Sequence, residues 1–282
     1  MSKRIVILGG GTGGTLVANR LHRHFKHHRA EHDEVEIVVV DRDDHHMYQP
    51  GLLFVPFGLA EHSEIVRPRR TQLQQSIEFV ESGIDRVDRT ADVVHLENGR
   101  DLTYDVLVIA TGAQLAFDET EGLTGPGWNE RVFTFYDISG ATALQGALAA
   151  FEGGTLAVNI VDMPIKCPVA PLEFCFLADW YFTERGIRDK VDIVYATPLD
   201  GAFTKPVASA ALSALLEEKG VRLVTEFNTG SVEMDDGGAS GRLVGYDGRE
   251  VPFDLAVVIP LHSGADYVGR SDGLGDDLNF VP

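Results

Sequence analysis

The sequence predicts an α/β protein built from two Rossmann-like domains with parallel sheets. Strand-like and helix-like segments alternate along its 282 residues, and a glycine cluster at residues 9–14 separates the first strand from the first helix. Hydrophobic residues make up 44% of the chain, which is enough to bury the cores of two ordinary domains or of one large one.

The individual elements follow from the spacing of apolar residues. Apolar, β-branched runs predict strands at residues 5–8, 35–40, 106–110, 155–161, 191–196, 221–224 and 257–260. Apolar residues at helical spacing predict helices at residues 16–25, 144–151, 172–181 and 207–219. Residues 77–96 have the pattern of short strands and turns, and the acids and glycines of residues 234–241 indicate a hairpin tip.

These elements group into two domains. A loop rich in Gly, Pro and Trp at residues 113–131 suits a crossing between domains, so we predict a first domain over residues 1–115 and a second over 116–251. Residues 257–260 repeat the strand-then-turn pattern that closes the first domain. We therefore expect residues 252–282 to return to the first domain.

The glycine cluster predicts a dinucleotide site. Gly9, Gly11 and Gly14 satisfy the GxGxxG pattern between a strand and a helix. The first glycine permits a tight turn, the second lets the backbone approach a pyrophosphate, and the third lets helix and strand pack closely. Thr12 and Gly13 complete the turn at the helix N-terminus, whose partial positive charge attracts phosphate.

An acidic residue stands where the ribose of such a ligand is expected. Asp41 follows the strand at residues 35–40, and a carboxylate there accepts hydrogen bonds from the adenosine ribose and opposes a 2′-phosphate. Arg42 moderates that preference because it places a cation beside the carboxylate.

Charge and composition exclude some functions. The net charge of −19 argues against nucleic-acid binding, which needs clustered Lys and Arg. The chain enters its first strand without room for a secretory signal, and its apolar runs are far shorter than the roughly 20 residues that cross a bilayer. We expect an acidic cytoplasmic protein, with peripheral contact at the inner face of the cell membrane left open.

Several motifs together resemble one flavoprotein family. They are the glycine turn, Tyr-Gln-Pro-Gly at residues 48–51, the strand at residues 102–112 that ends in Ala-Thr-Gly, and Lys166-Cys167-Pro168. In this combination the chain resembles the sulfide:quinone oxidoreductase and flavocytochrome c sulfide dehydrogenase family. The resemblance extends along essentially the whole chain, and its most specific element is the Lys-Cys-Pro segment.

The resemblance implies FAD as cofactor. It places the FAD phosphates on the glycine turn, the ribose at Asp41 and Arg42, and the strand ending in Thr111 and Gly112 beneath the cofactor. It also implies sulfide and quinone as small-molecule substrates, with electrons passing from sulfide through a cysteine and FAD to the quinone. A homo-oligomer is compatible with this interpretation.

Cys167 is the cysteine that the resemblance assigns to redox chemistry, as the thiol that takes up sulfide sulfur or attacks the flavin ring. It adjoins Lys166 and precedes a helix expected near Pro171, and both a cation and a helix N-terminus favour thiolate over thiol. Cys175 lies within that helix beside Phe174, so core packing is its expected role.

The sequence departs from the family pattern in one respect. The family mechanism uses a second cysteine toward the C-terminus, and none follows Cys175 here. Family members also continue beyond Pro282 with a Gly-Asp strand end, a quinone-facing part and a membrane-associating part. We therefore expect the C-terminal part of the family fold to be absent, in a fragment or a short form.

Two other functions stay open. A type II NADH dehydrogenase-like flavoprotein shares the first domain, but residues 162–171 hold prolines and Cys167 where a second glycine fingerprint is expected. A flavin-binding or redox-sensing module without turnover would explain the missing second cysteine.

The histidines give no clear metal site. His24 and His28 stand at i and i+4, yet no further ligand is clearly placed, so we predict no metal. His262 resembles a family position close to the flavin, and the sequence leaves open whether it transfers protons or is structural.

Overall fold

The computed structural model describes residues 3–27 and 35–282, without the side chain of His27. Contacts divide the chain into two units. Unit 1 consists of Met1–Tyr48, Val66–Gln114 and Ser263–Pro282, and unit 2 consists of Gln49–Ile65 and Leu115–His262.

The strands run as follows along the described residues: β1 (Lys3–Leu8), β2 (Val35–Asp41), β3 (His45–Met47), β4 (Val66–Pro68), β5 (Glu78–Glu81), β6 (Ile84–Asp88), β7 (Val93–Leu96), β8 (Asp101–Thr103), β9 (Val106–Ile109), β10 (Gln114–Leu115), β11 (Val132–Phe133), β12 (Gly154–Ile160), β13 (Val191–Ala196), β14 (Val221–Val224), β15 (Thr229–Met234), β16 (Gly241–Gly245), β17 (Glu250–Phe253), β18 (Leu255–Ile259) and β19 (His262–Ser263). The α-helices are α1 (Thr12–His27), α2 (His62–Ile65), α3 (Ile138–Ala150), α4 (Ala170–Glu184), α5 (Pro206–Glu218) and α6 (Asp266–Gly269). Short 3₁₀ helices lie at Gln49–Leu53, Val55–Phe57, Arg69–Gln72, Phe117–Glu119 and Arg188–Lys190.

Unit 1 is centred on a four-stranded parallel sheet in the order β5-β2-β1-β9. The two central strands are apolar and buried over four consecutive residues each, Ile5–Leu8 in β1 and Ile37–Val40 in β2, as expected of strands covered on both faces. Val6 and Leu8 of β1 join the core on one face, while Ile5 and Ile7 pack on the other face with Ala18 of α1. The predicted βαβ opening is therefore confirmed.

The strand order creates a crevice at one edge of this sheet. β1 has β2 on one side and β9 on the other, and Leu8 lies level with Val40 and with Ile109. The carboxyl ends of all three strands consequently meet at the point where the strand order reverses, which is where open α/β sheets bind ligands.

The last segment of the chain packs on the antiparallel sheet β6-β7-β8 of unit 1. The hydroxyl of Ser271 accepts a hydrogen bond from the Val87 N–H at 2.8 Å and donates to the Tyr267 carbonyl at 2.6 Å. Arg270 donates to the carbonyl oxygens of Ile84 and Asp85 at 3.0 and 2.9 Å. These bonds fix α6 beside the crevice.

Unit 2 contains a second parallel sheet, in the order β11-β18-β12-β13-β14. Helices α3, α4 and α5 connect its strands, and an antiparallel sheet of β15, β16 and β17 contributes Val232, Leu243 and Phe253 to its core. The predicted α/β class with parallel sheets is confirmed.

The path of the chain differs from the predicted domain limits near its end. The sequence suggests a return to the first domain at residue 252, whereas β18 pairs along its whole length with β12 of unit 2, from Leu255 opposite Leu156 to Ile259 opposite Ile160. The return comes at Ser263. Gln49–Ile65 also belongs to unit 2, so unit 1 consists of three chain segments.

Candidate functional site

The glycine turn after β1 has no room for side chains at two of its positions. Gly9 has a φ of +91°, and a Cβ built on it would lie 2.4 Å from the carbonyl oxygen of Ala110. A Cβ on Gly14 would lie 1.8 Å from the carbonyl oxygen of Gly9. The turn therefore brings β1, β9 and the first turn of α1 closer together than any other residue type permits.

Gly11 faces open space instead. A Cβ on Gly11 would meet nothing within 4 Å, and one on Gly13 would only touch Ala110 at 3.9 Å. Thr12 begins the 16-residue helix α1, whose first backbone N–H groups carry partial positive charge. This combination of bare backbone and helix N-terminus fits a pyrophosphate.

Asp41 lies beside this turn, with its carboxylate fixed by three contacts. Its Oδ2 accepts from the N–H of Gly10 at 2.7 Å and pairs with Nη1 of Arg69 at 3.0 Å. Its Oδ1 accepts from the N–H of Arg42 at 2.8 Å. An ionised carboxylate accepts about four hydrogen bonds, so acceptor capacity is left for a ligand hydroxyl.

A cavity of about 220 Å³ opens at the carboxyl ends of the unit 1 strands. Among the sequence-predicted residues, its lining includes Gly9, Asp41, Arg42, Thr111 and Gly112. A second cavity, of about 170 Å³, shares Thr111 and Gly112 with the first. The strand ending in Thr-Gly therefore borders both cavities.

The remaining predicted residues, Gly11, Thr12, Gly13 and Gly14, form the turn and helix start that follow Gly9. The structure thus brings the glycine turn, the end of β2 and the end of β9 together at one edge of the sheet. That these residues bind the cofactor stays a prediction, and the space and the hydrogen-bonding groups of the edge fit the phosphates and ribose of FAD.

Other lining residues could not be read from sequence. Ser82 lies between β5 and β6 and Glu97 directly follows β7, whereas Asp266, Tyr267 and Arg270 come from the final chain segment. The hydroxyl of Tyr267 lies 3.3 Å from Thr111 Oγ1, and burial raises the pKa of Tyr267, so it is protonated at neutral pH. No motif marks these residues, because they reach the cavity only through tertiary packing.

Cys167 lies in unit 2, in the connection between β12 and α4. Its side chain is a free thiol in an exposed residue, and its φ of +48° is in the left-handed region that non-glycine residues rarely adopt. The Cys167 carbonyl oxygen accepts from the N–H of Ala170 at 3.0 Å and from the hydroxyl of Tyr136 at 3.0 Å. These two bonds hold the thiol segment at the entrance to α4.

Two ionisable residues accompany this segment. Burial lowers the pKa of Lys166, an effect that the Asp137 carboxylate opposes. Burial also lowers the pKa of His262, to about 4, and the nearby Lys166 charge contributes to that shift. His262 is therefore neutral at physiological pH.

The His262 ring is 1% exposed and stands edge-to-face against the Tyr136 ring at 5.4 Å between centroids. Its Nδ1 lies 3.0 Å from the carbonyl oxygen of Pro260, a distance that places the proton on Nδ1. Nε2 is buried and has no hydrogen-bond partner within the part of the chain that is described.

Cys175 has the environment expected of a core residue. It is fully buried in α4, and burial raises the pKa of its thiol far above the ordinary value. A thiol of this kind is inert, because the reactive form is the thiolate.

Of the histidine pair considered for metal binding, His28 lies outside the described residues, as does His32. Residues 3–27 and 35–282 contain no group of three or more His, Cys, Asp or Glu side chains that could hold a metal ion.

Comparison with known proteins identifies the family. Residues 3–259 match the family of pyridine nucleotide-disulphide oxidoreductases. The chain belongs to this family. Pyridine nucleotide-disulphide oxidoreductases of this kind are FAD-dependent, so the predicted cofactor is confirmed at the level of the family.

Individual relatives show which members of the family this chain is similar to. The mitochondrial sulfide:quinone oxidoreductase of Mus musculus is 25% identical over 279 residues, which cover 98% of this chain and 60% of the relative. The crystal structure of the Aquifex aeolicus sulfide:quinone oxidoreductase matches with a TM-score of 0.83 at 22% identity, covering 99% of this chain and 64% of that one. The type II NADH:quinone oxidoreductase Ndh of Mycobacterium tuberculosis is 30% identical, but over only 39% of this chain.

These comparisons confirm the resemblance to sulfide:quinone oxidoreductases that the motifs indicate, and the structural match shows the shared fold. The chain spans about three fifths of the length of the mouse relative. Among the described residues, no helix is both long enough and apolar enough to cross a membrane.

Proposed function

We propose that this pyridine nucleotide-disulphide oxidoreductase transfers electrons from sulfide, through Cys167 and FAD, to a quinone. Relatives matched over nearly the whole chain are sulfide:quinone oxidoreductases by name. The observation that carries the proposal is the exposed free thiol of Cys167, held in a left-handed backbone conformation at the start of α4.

The backbone of Cys167 supports a functional role. A left-handed conformation costs a non-glycine residue about 1–2 kcal/mol. A glycine at position 167 would avoid this cost. A cysteine that served only in packing would be buried, as Cys175 is, whereas Cys167 is exposed. The contacts of the Cys167 carbonyl with Ala170 and Tyr136 hold the strained residue in place.

The proposed chemistry begins with sulfur uptake at this thiol. A Cys167 thiolate and a hydrosulfide ion form a sulfur–sulfur bond, giving a Cys167 persulfide, and the step releases one proton and two electrons. The proton passes to solvent, and the Lys166 cation next to Cys167 in the sequence favours the thiolate form of the cysteine. His262 is a poor acceptor for this proton because of its low pKa.

Bound FAD would supply the two-electron acceptor for this step and the two-electron donor for the quinone. The residues proposed to hold it are Gly9, Gly11 and Gly14 with Thr12 and Gly13 at the phosphates, Asp41 and Arg42 at the ribose, and Thr111 and Gly112 along the cofactor. They form the cavity edge and the helix start described above.

The loop after β12 argues against NADH as the electron donor. In a nicotinamide domain this loop would carry glycines at the carboxyl end of the strand, where the backbone approaches the pyrophosphate. Residues 161–171 contain no glycine and hold Pro164, Pro168 and Pro171 instead. The NADH:quinone oxidoreductase Ndh also matches a smaller share of this chain than the sulfide:quinone oxidoreductases do.

Anaerobic flavin reduction tests the proposal. Purified protein loaded with FAD is mixed with sulfide or with NADH, and the visible absorption of the flavin is followed. Sulfide is expected to bleach the flavin and NADH is not, while a quinone analogue added afterwards restores the colour. Rapid bleaching by NADH alone would establish the NADH dehydrogenase alternative, and bleaching by neither would favour a module without turnover.

Cysteine variants assign the step to its residue. Cys167→Ser is expected to bind FAD normally and to lose sulfide-dependent bleaching by about a hundredfold or more, because a serine hydroxyl does not form a persulfide. Cys175→Ala is the matched control, since Cys175 is buried, and it should retain the rate. Bleaching of the Cys167→Ser protein at the normal rate would refute the role of Cys167.

The location of the protein belongs to the same proposal. A quinone acceptor resides in a membrane, so we place the protein at the inner face of the cell membrane, in peripheral contact with it. A homo-oligomer is compatible with this arrangement and stays a prediction.

A further inference from the structure

Arg69 is an almost fully buried arginine beside the glycine turn, and its nitrogen atoms are engaged by residues 41–45. Its side chain is 7% exposed. Nη1 pairs with Asp41 Oδ2 at 3.0 Å, and Nη2 pairs with Asp43 Oδ1 at 3.2 Å. Nη2 also donates to the His45 carbonyl at 2.7 Å, and Nε donates to the Asp43 carbonyl at 3.1 Å. Arg69 thus ties the end of β2 to the loop that follows it.

The stem of the same side chain supports the glycine turn. A Cβ built on Gly10 would lie 2.4 Å from Arg69 Cδ and 3.3 Å from Val39 Cγ1, so Gly10 packs directly against the aliphatic part of the Arg69 side chain. The N–H of Gly10 donates to the Asp41 oxygen that Arg69 also holds. One residue therefore fixes both the turn and the carboxylate beside it.

The consequence for Asp41 is a difference between its two oxygens. Oδ2 is engaged by two donors, whereas Oδ1 accepts only from the N–H of Arg42 among the described residues. Asp41 lines the cavity and Arg69 is not among the lining residues. A ligand therefore meets an oriented carboxylate, and the guanidinium that orients it stays out of reach.

We infer that Arg69 is a positioning residue that presents Asp41 Oδ1 to the 2′-hydroxyl of an adenosine diphosphate ligand. The inference rests on the proposed FAD site for the class of ligand and on none of the sulfide chemistry. An acceptor held in place by a buried arginine loses little freedom on binding, so the ribose hydroxyl gains more from it than from a mobile carboxylate.

The experiment compares two nucleotides that differ by one hydroxyl. ADP and 2′-deoxy-ADP are titrated calorimetrically into the full chain freed of flavin, for the wild type, Arg69→Met, Asp41→Ala and the double variant. The wild type is expected to bind ADP about tenfold more tightly than 2′-deoxy-ADP, which corresponds to about 1.4 kcal/mol. Arg69→Met should remove most of that ratio by weakening ADP and leaving 2′-deoxy-ADP within twofold.

The double variant tests whether the two residues act together. Arg69 acts through Asp41 in this proposal, so Arg69→Met should not lower the ratio further once Asp41 is alanine. Arg70→Met is the matched control: Arg70 is 55% exposed and pairs with Asp44 and Glu81 rather than with Asp41. This variant should keep the wild-type ratio.

Several outcomes would overturn the inference. One is a wild type that binds ADP and 2′-deoxy-ADP equally well. Another is an Arg69→Met protein that loses affinity for both nucleotides equally, which would show that Arg69 has only a structural role. If Arg69→Met does not fold, Arg69→Lys replaces it, because lysine keeps the positive charge but lacks the forked guanidinium that holds Asp41 and Asp43. A folded Arg69→Lys protein with an unchanged ratio of ADP to 2′-deoxy-ADP affinity would also overturn the inference. Failure of sulfide to reduce the flavin would count against the proposed function and would leave this ratio unaffected.

Discussion

At the scale of single residues, the glycines of the first turn differ in what a side chain would meet. A methyl group on Gly14 collides with the backbone of Gly9, whereas one on Gly11 points into free space. Gly14 is therefore required by the fold, whereas Gly11 is required only if a ligand occupies the space beside it.

This difference predicts opposite behaviour for two similar variants. Gly14→Ala should lower the free energy of unfolding by about 3 kcal/mol, because the helix must move away from the strand. Gly11→Ala should leave unfolding almost unchanged and weaken FAD binding about tenfold or more, because its methyl group occupies the ligand's space. Denaturant unfolding without ligand and flavin titration measure the two effects separately, and a destabilised Gly11→Ala protein with normal flavin affinity would contradict this interpretation.

His262 predicts a pH dependence of stability. Its pKa is about 4 in the fold, lowered by burial and by Lys166, against about 6.5 in the unfolded chain. The unfolded chain therefore binds more protons between these values, so His262 costs stability as the pH falls from about 6.5 to 4. At pH 5 the loss is about 2 kcal/mol, at 1.36 kcal/mol for each pKa unit below 6.5.

The comparison that isolates this effect uses His262→Phe, which keeps a ring against Tyr136 and removes the titrating group. Free energies of unfolding are measured at pH 7.5 and pH 5 for both proteins. The wild type should lose about 2 kcal/mol more than the variant. Equal losses would show that His262 does not titrate as stated.

Sequence motifs mark those residues of the cavity edge whose pattern is local. The glycine turn, Asp41 and the Thr111-Gly112 strand end are each recognisable within a few residues, and the structure brings them to one edge of the sheet, while their role in cofactor binding stays a prediction. Arg69 is not recognisable in this way, since its run of Arg-Pro-Arg-Arg suggests a solvated surface and its partners, Asp41 and Asp43, come from an earlier strand end. Tyr267 was missed for the same reason, because its contact with Thr111 joins residues 156 positions apart.

At the scale of elements, β18 shows what a strand pattern cannot reveal. All five of its residues are buried, so the sequence correctly predicts a strand. A fully apolar run carries no information about its neighbour, and the resemblance to the strand before Thr111 suggested the wrong unit. In the structure β18 pairs with β12, which places it in unit 2.

Helix α3 begins earlier than its apolar pattern indicates, because Asp137 caps it. The Asp137 carboxylate accepts from the N–H of Gly140 at 2.7 Å, and the helix then runs to Ala150. The predicted start at residue 144 misses the first turns, where small and polar residues conceal the periodicity. Caps of this kind contribute about 1 kcal/mol.

A glycine in the same helix offers a test of helix propensity without a change in contacts. Gly146 is exposed in the middle of α3, and a Cβ on it would meet nothing within 4 Å. Gly146→Ala should therefore stabilise the protein by about 0.5–1 kcal/mol, through the lower backbone entropy of the unfolded chain. Denaturant unfolding measures the gain in the free energy of unfolding. A loss of stability would contradict the prediction, because it would mean that the added methyl group meets other atoms.

At the scale of the whole molecule, the dominant property is the net charge of −19. Like charges repel across the surface, and this repulsion destabilises the compact state. Most ion pairs of the described residues are partly or fully exposed, for example Lys3 with Asp105 and Arg222 with Asp192. Pairs of that kind contribute between zero and about 1 kcal/mol each, so they offset only part of the repulsion.

Salt should consequently stabilise this protein. Raising the ionic strength shortens the Debye length from about 30 Å at 0.01 M to about 3 Å at 1 M, which removes long-range repulsion while leaving the buried Arg69 and Asp41 pair largely unscreened. We expect potassium chloride over this range to raise the midpoint of thermal unfolding by at least about 2–4 °C, equivalent to about 1 kcal/mol. Rubidium chloride at equal ionic strength serves as the control for a specific potassium effect. A midpoint that falls with salt would mean that the surface ion pairs, and not the excess of carboxylates, govern the electrostatic contribution to stability.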